Sequence, residues 1–144
     1  MTRPRPTRLS QAHYETLASL RHALRNFLGF SEVAARRAGL TPQQHQALLA
    51  IRGMPAGTPV SVGAVAEKLL VRHHSAVELT ERLERMGMIR RVRSTVDRRK
   101  VDLSLTPRGN HALERLTSSH VRELRQLGPA LARMLAFLGH EKPG

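Results

Sequence analysis

A dense run of cations is the feature of the sequence with the clearest chemical use. Residues 90–100 read RRVRSTVDRRK, in which a single acid, Asp97, lies among six cations: Arg90, Arg91, Arg93, Arg98, Arg99 and Lys100. Guanidinium groups on a projecting loop suit phosphate contacts and are drawn to the negative potential of a DNA minor groove. The alternative is an ordinary solvated loop, because charged loops are common on protein surfaces. The patterns in the neighbouring segments are needed to choose between a DNA-binding loop and a solvated loop.

A predicted helix just upstream carries a second polar set. The buried side of HHSAVELTERLERMG is expected to consist of apolar residues at helical spacing: Ala76, Leu79, Leu83 and Met86. The other positions are expected to face outward: His73, His74, Ser75, Val77, Glu78, Glu81, Arg82 and Arg85. In a helix-turn-helix such side chains read base edges in a major groove, and the helix N-terminus favours phosphate. Either pattern alone also fits a solvated surface, but their adjacency favours DNA binding.

The histidines are not spaced as metal ligands or catalytic groups. Eight occur, but no two lie three or four residues apart, and there is neither an HExxH segment nor a cysteine. We therefore expect no metal and no cofactor. The alternative left open is a site assembled from distant histidines with a carboxylate: His13, His22, His111 or His120. A glycine-rich phosphate loop and a nucleophile elbow are also missing, so we do not expect an enzyme.

The overall composition indicates a polyanionic partner. The 144 residues carry a formal net charge of +13, with 24 Lys and Arg against 11 Asp and Glu. Because cysteine is absent, disulfides and thiol-based redox switches are excluded. The basic start, MTRPRPTRLSQ, is not followed by an apolar stretch. We therefore expect neither a secretory signal nor a membrane span, and a cytoplasmic location.

Apolar spacing and capping residues predict helices in the first half of the chain. A long helix is expected over 10–38, because leucines and alanines at three- and four-residue steps form a wide apolar face. Thr41, Pro42 and Gln44 predict the start of a second helix, and Ser61 predicts the cap of a third. This third helix and the outward-facing polar helix then stand side by side across a tight turn.

The second half of the chain predicts a β-hairpin followed by helix. Residues 59–61 are expected to be extended, and IRRVR and KVDLSLT alternate as two strands joined by a polar turn. A helix from residue 107 is expected to break at Gly128-Pro129, before a short last helix. The order predicts one mainly α domain over 10–140 with a small β-hairpin wing, which is the winged helix-turn-helix plan. Residues 1–9 are expected to form a flexible basic tail.

Several segments resemble the MarR family, the bacterial multiple antibiotic resistance regulators. The resemblance rests on LTPQQHQALLAI, VGAVAEKL, HHSAVELTERLERMGMIRR and VDRRKVDLSLTPRG, and it covers roughly residues 10–138. It implies a homodimer in which helices within 10–38 and 107–138 intertwine, and in which each 41–105 lobe meets one half-site of a pseudo-palindromic DNA operator. Repression is the outcome that the resemblance implies. The rival functions are a non-specific architectural DNA-binding protein and a winged-helix protein that docks another protein.

The two patterns and the resemblance together assign residues to roles. The predicted DNA contacts are His73, His74, Ser75, Val77, Glu78, Arg82, Arg91, Arg93, Arg98 and Arg99. Asp97 and Arg99 match an Asp-x-Arg wing, in which the aspartate orients the arginine. By resemblance, a small-molecule effector, often a phenolic or other lipophilic anion, is expected in a cleft lined by Tyr14, Arg21, His22, Phe27 and Phe30. The alternative for that set is an ordinary helix core.

Overall fold

The computed structural model describes residues 8–140. The predicted tail at residues 1–9 therefore lies, apart from residues 8 and 9, outside the described part of the chain. The elements in chain order are α1 (Gln11–Arg37), α2 (Pro42–Arg52), α3 (Val62–Leu69), α4 (His73–Arg85), β1 (Ile89–Arg93), β2 (Val101–Leu105) and α5 (Pro107–Gly139). Within residues 8–140, none of the helices has the length and apolar character of a membrane span.

The helix starts that capping residues predicted are confirmed. Thr41 Oγ1 accepts a hydrogen bond from the Gln44 amide at 3.2 Å, and Gln44 Oε1 accepts one from the Thr41 amide at 2.9 Å. This reciprocal capping box, with Pro42 in the first turn, starts α2. Ser61 Oγ accepts from the Ala64 amide at 3.1 Å and starts α3 in the same way.

The hairpin is a two-stranded antiparallel sheet, which confirms the mainly α fold with a β-hairpin wing. Its register pairs Ile89 with Leu105 and Arg91 with Leu103. The extended piece predicted at residues 59–61 contributes only one bridge, between Ser61 and Asp102. The Val60 carbonyl accepts a hydrogen bond from the amide of Leu103, opposite Arg91, at 2.8 Å, which ties that piece to the sheet.

The chain divides into two compact units. The wing unit, Glu32–Ser119, contains the hairpin and a continuous apolar core whose largest fully buried side chains include Leu48, Val65, Leu83 and Ile89. The terminal unit combines the chain up to Ser31 with the chain from His120. The first and last helices, α1 and α5, contribute residues to both units.

The expected break at Gly128-Pro129 is wrong, because α5 continues through it to Gly139. Proline removes one helical hydrogen bond and normally crowds the Cβ of the residue before it. Here that residue is Gly128, which has no Cβ, so the restriction is relaxed. Leu127 and Leu131, on either side of the proline, lie four residues apart and are both partly buried, so the apolar face stays in phase. One long helix therefore replaces the two expected helices.

Candidate nucleic-acid interface

Two helices joined by a three-residue turn form the helix-turn-helix of the wing unit. The first, α3, is capped by Leu70, whose backbone is left-handed with φ of 55° and whose side chain is 92% exposed. The amide of Val71 donates to the Ala66 carbonyl at 3.0 Å, which closes the C-terminal turn of α3. Because the turn is this short, α4 starts immediately at His73.

The buried side of α4 includes a residue that sequence reasoning missed. Ala76 and Leu83 are fully buried as expected, and Thr80 lies between them with no exposed surface. Thr80 Oγ1 donates to the carbonyl of Ala76 at 2.9 Å and approaches that of Val77 at 3.0 Å, so its hydroxyl is satisfied inside the helix. The signal was present in the spacing, because Thr80 is four residues after Ala76 and three before Leu83.

The outward side of α4 is only partly as expected. The exposed predicted contacts are His73, His74, Glu78 and Arg82, and Ser75 is half-buried. The outward placement of Val77 is wrong, because its apolar side chain is half-buried and packs against the core of the wing unit. Before the helix, Arg72 makes no side-chain capping bond. The first amide groups of α4 are therefore available to an external anion.

The tip of the wing is held by hydrogen bonds around Ser94. The Ser94 hydroxyl accepts from the amides of Val96 and Asp97 at 3.2 and 3.3 Å. The Ser94 amide donates to the Lys100 carbonyl at 3.0 Å, and the Lys100 amide donates to the Asp97 carbonyl at 2.9 Å. Ser94 is itself buried. The loop therefore presents its side chains from a defined backbone conformation.

Asp97 and Arg99 are joined at that tip. Asp97 Oδ1 accepts hydrogen bonds from the backbone amide and the Nε of Arg99, at 3.1 and 3.2 Å. These bonds, with a smaller contribution from the charge of Lys100, hold the pKa of the Asp97 carboxyl below its usual value. The Arg99 side chain is nevertheless 91% exposed, and the neighbouring Arg98 is exposed as well. Charged at neutral pH, Asp97 orients a guanidinium that still faces solvent.

Arg91 is placed differently from the other cations of the run. Its side chain is only 18% exposed, and Nη1 lies 3.6 Å from Oε1 of Glu81 on α4. Its Nε is buried and has no hydrogen-bond partner among the described residues. Strand alternation could have given the signal, because Arg91 lies on the same face of β1 as the buried Ile89. By contrast, Arg90 and Arg93 are exposed.

A close backbone approach joins the end of α4 to the start of α5. Thr106 Oγ1 donates to the Gly87 carbonyl at 2.6 Å and accepts from the Gly109 amide at 3.1 Å. The Thr106 amide donates to the Met88 carbonyl at 3.0 Å. A Cβ on Gly109 would overlap the carbonyl oxygen of Met88 and lie 3.0 Å from its carbonyl carbon. Glycine is therefore required where α5 passes the chain entering the wing.

The residues predicted for an effector cleft separate into two sets. Phe27 and Phe30 both meet the imidazole of His120 edge-on, with ring centroids 5.8 and 5.4 Å apart, respectively. The same imidazole shares a 2.7 Å hydrogen bond with Ser31, and neither Ser31 nor His120 was predicted for the cleft. In contrast, Tyr14 precedes Phe27 by thirteen residues on one helix, which is about 20 Å.

The other two members of that predicted set lie outside the aromatic cluster, which consists of Phe27, Phe30 and His120. Arg21 and His22 are exposed on α1, and His22 shares a 3.2 Å hydrogen bond with Asn26. Elsewhere in the terminal unit, His13 lies beside Phe137 with ring centroids 5.2 Å apart. No group of three or more His, Cys, Asp or Glu residues with the geometry of a metal site occurs within residues 8–140.

Comparison with known proteins gives consistent matches. A family model described as the MarR family matches residues 38–100. The transcriptional repressor MdtR of Bacillus subtilis (strain 168) is 30% identical over 104 residues, which are 72% of this chain and 61% of that relative. This chain therefore spans less than two thirds of that repressor's length.

Solved structures agree on the fold. The crystal structure of YusO from Bacillus subtilis is 26% identical, covers 91% of this chain and 86% of its own, and superposes with a TM-score of 0.61. A mutant of MepR from S. aureus bound to an oligodeoxyribonucleotide is 18% identical, covers 91% of this chain and 99% of its own, and has a TM-score of 0.65. With its winged helix-turn-helix and these matches, the chain resembles the MarR family of transcriptional regulators.

Proposed function

We propose that this protein is a transcriptional repressor that binds a pseudo-palindromic DNA operator as a homodimer. The observation that carries the proposal is the arrangement of the wing unit. It combines the exposed face of an uncapped α4 with a hydrogen-bonded wing tip that presents Arg98 and Arg99 to solvent. MdtR, the relative at 30% identity, is itself a repressor, and the MepR structure contains DNA.

In this proposal α4 enters the major groove of one half-site. His74, Ser75, Glu78 and Arg82 supply donors and acceptors for base edges, while the first amides of α4 face a phosphate. These four residues lie within two and a half turns of helix, which is a length that a major groove accommodates. Base contacts of this kind give sequence preference, whereas phosphate contacts position the protein.

The wing supplies the second set of contacts. Arg98 and Arg99 lie next to one another at its tip, and the Asp97 carboxylate fixes the direction of the Arg99 guanidinium. A minor groove attracts such groups by its negative potential. We assign Arg91 a supporting role, because its guanidinium is turned towards Glu81 and holds the hairpin against α4.

A homodimer would cover apolar surface that one chain leaves exposed. Leu17, Leu24 and Leu28 share one face of α1 and are between 45% and 56% exposed. On α5, Leu124 and Leu135 are 40% and 57% exposed. All five belong to the terminal unit, and exposed apolar patches are typical of protein interfaces. Two copies joined there would present two wing units to the two halves of a palindrome.

The effector site of the proposal is reduced to the aromatic cluster. Phe27, Phe30 and His120 provide ring edges and one imidazole, which suit a planar lipophilic anion. Tyr14 is too far along α1 to share that site. Release of the operator by such an anion is the regulatory step that we propose.

The test is footprinting and titration on the DNA upstream of the protein's own gene, beside a scrambled duplex of equal length, at physiological salt. We expect a protected imperfect palindrome, bound about a thousandfold more tightly than the scrambled duplex. Aromatic carboxylates added to that complex then test the effector step. Equal binding to any promoter and to scrambled DNA would contradict operator recognition and favour an architectural protein. No DNA binding at all would favour a protein-docking winged helix.

A further inference from the structure

The C-terminal half of α5 carries a stripe of arginines that the proposed operator contacts do not use. Arg122, Arg125 and Arg133 are all exposed, and we call them the α5 stripe. At 100° per residue they fall within an arc of about 80° on one side of the helix. None of the three forms an ion pair with another residue in the described range 8–140.

The part of α5 that carries the stripe contains little compensating charge. Between residues 120 and 140 the sequence contains a single acid, Glu123. Glu123 is half-buried and lies about 100° around the helix from Arg122. Within this segment the stripe is therefore a surface of uniform positive charge, and its complement is a polyanion.

The α5 stripe also stays outside the proposed dimer contact. The exposed leucines of the proposed dimer contact on this helix, Leu124 and Leu135, lie about 120° to 140° around the helix from the middle of the stripe. The half-buried leucines lie roughly opposite the stripe: Leu127, Leu131 and Leu138. The apolar side of α5 thus faces protein, and the arginines face away from it. A dimer formed through the apolar side leaves both stripes accessible.

The shape and chemistry of the stripe fit a nucleic-acid backbone. Its first and last arginines are eleven positions apart, or about 17 Å along the helix, which is the axial rise of about five phosphates along one DNA strand. All three cations are arginines, whose planar guanidinium groups bind phosphate bidentately. Between Arg122 and Arg133 this face carries Pro129 and no aromatic or large apolar side chain for insertion into a lipid surface. The exposed Val121 and Phe137 lie about 40° beyond its two edges.

We propose that the α5 stripe is a second DNA-binding surface, which holds a phosphate backbone through contacts of its own, separate from those of α4 and the wing. Its contacts are independent of sequence. The stripe raises the affinity for long DNA and leaves recognition of the operator bases unchanged. This inference rests on the proposed function only where it refers to the operator. Binding to the phosphate backbone can be measured on scrambled DNA alone.

The experiment compares two triple variants of the full-length protein. In the stripe variant all three stripe arginines are replaced: Arg122→Gln, Arg125→Gln and Arg133→Gln. The matched control removes the same charge at three exposed arginines of the wing unit: Arg36→Gln, Arg37→Gln and Arg52→Gln. A lysine triple at the stripe positions keeps the charge. Circular dichroism and urea unfolding establish that all variants are folded.

Each variant is titrated with a long scrambled duplex over a series of salt concentrations. For the stripe variant we expect the slope of log affinity against log salt to fall in magnitude by about 3, since each lost phosphate contact removes about 0.9. The control variant should change that slope by less than about 1, and the lysine triple should stay close to wild type. On operator and scrambled duplexes of equal length, the stripe variant should keep the wild-type ratio of affinities, because phosphate contacts carry no sequence preference.

Several results would overturn the inference. Equal slopes for the stripe and control variants would mean that only net charge matters. A stripe variant that binds long DNA like wild type would exclude a backbone contact. If the stripe variant instead lost binding to vesicles containing phosphatidylserine while keeping its DNA affinity, the surface would be a lipid site. A missing operator would contradict the proposed function, but it would leave the result on scrambled DNA standing.

Discussion

Replacing Gly109 with alanine tests the close approach that connects α4, the wing and α5. The new Cβ would overlap the Met88 carbonyl oxygen and lie 3.0 and 3.3 Å from the carbonyl carbon and Cα of Met88. These are backbone atoms, so no flexible side chain can move aside. The same Met88 carbonyl accepts the hydrogen bond from the Thr106 amide. The substitution must therefore displace α5 or the chain that enters β1.

Three effects set the size of the change. Overpacking in a rigid site costs about 1 to 3 kcal/mol, and here the site is at the rigid end of that range. Weakening the Thr106–Met88 hydrogen bond costs about 1 kcal/mol more. Alanine regains at most about 1 kcal/mol of helix propensity relative to glycine. We expect the free energy of unfolding to fall by about 2 to 3 kcal/mol.

Urea unfolding followed by circular dichroism measures this change, at one protein concentration because dimer stability depends on it. With an m-value of about 2 to 3 kcal/mol/M, the midpoint of Gly109→Ala should fall by about 1 M. Gly29→Ala is the matched control, since it lies within α1 with nothing within 4 Å of its new Cβ. That variant should gain about 0.5 to 1 kcal/mol. A Gly109→Ala midpoint equal to or above wild type would refute the close approach.

Four further predictions concern the wing, its support on α4 and the turn between α3 and α4. Arg98→Ala should weaken binding to every duplex and lower the salt slope by about 1 in titrations; unchanged affinity would exclude the proposed wing contact. Because the pKa of Asp97 is lowered, the contribution of its carboxylate to DNA affinity is complete above the ordinary carboxyl pKa. That contribution is lost only as pH falls through the lowered pKa. The affinity ratio of wild type to Asp97→Ala should thus stay constant between about pH 5.5 and 8 in binding titrations, and a fall within that window would contradict the assignment. A double-mutant cycle with Glu81→Gln and Arg91→Gln should give about 0.5 to 1 kcal/mol of coupling in urea unfolding, a small value because Glu81 is 44% exposed. Zero coupling would show that the Arg91–Glu81 pair does not hold the hairpin against α4. Leu70→Gly should raise stability by up to about 1 kcal/mol, because it relieves left-handed backbone, and a lower urea midpoint would argue against that strain.

Elements with short-range signals were predicted well from sequence. Thr41 and Ser61 cap α2 and α3 as expected, and the two alternating segments pair as a hairpin. In each case the deciding interaction lies within a few residues or within a period of two. The fold class and the family resemblance follow from the same local patterns.

Proline 129 shows where local signals fail. A Gly-Pro pair is typical of a loop, and the same two residues also permit a continuous helix because glycine removes the clash with the proline ring. The choice depends on whether the apolar faces before and after Pro129 remain in phase, and they do. That phase is a property of the whole helix and its packing.

The candidate site was predictable as a region but not residue by residue. Composition identifies six cations in residues 90–100, but it does not indicate which of them has a partner inside the protein. The partner of Arg91 is Glu81, ten residues away on a different element, so the pairing depends on how the hairpin packs. Val77 likewise packs against the core of the wing unit, which the spacing of residues along α4 alone does not fix. The roles of the other predicted DNA contacts stay predictions.

The structure of the wing bears on the choice between a sequence-specific and an architectural DNA-binding protein. A loose basic loop adapts to any phosphate backbone, and ordering it on binding costs conformational entropy. In this wing the Ser94 hydroxyl and the Asp97 carboxylate already fix the tip, and Arg91 is turned towards α4. The tip and α4 are therefore held at one spacing before DNA is present. Only DNA whose two grooves match that spacing makes both contacts without deformation, so a preorganised wing favours selection among duplexes over uniform binding.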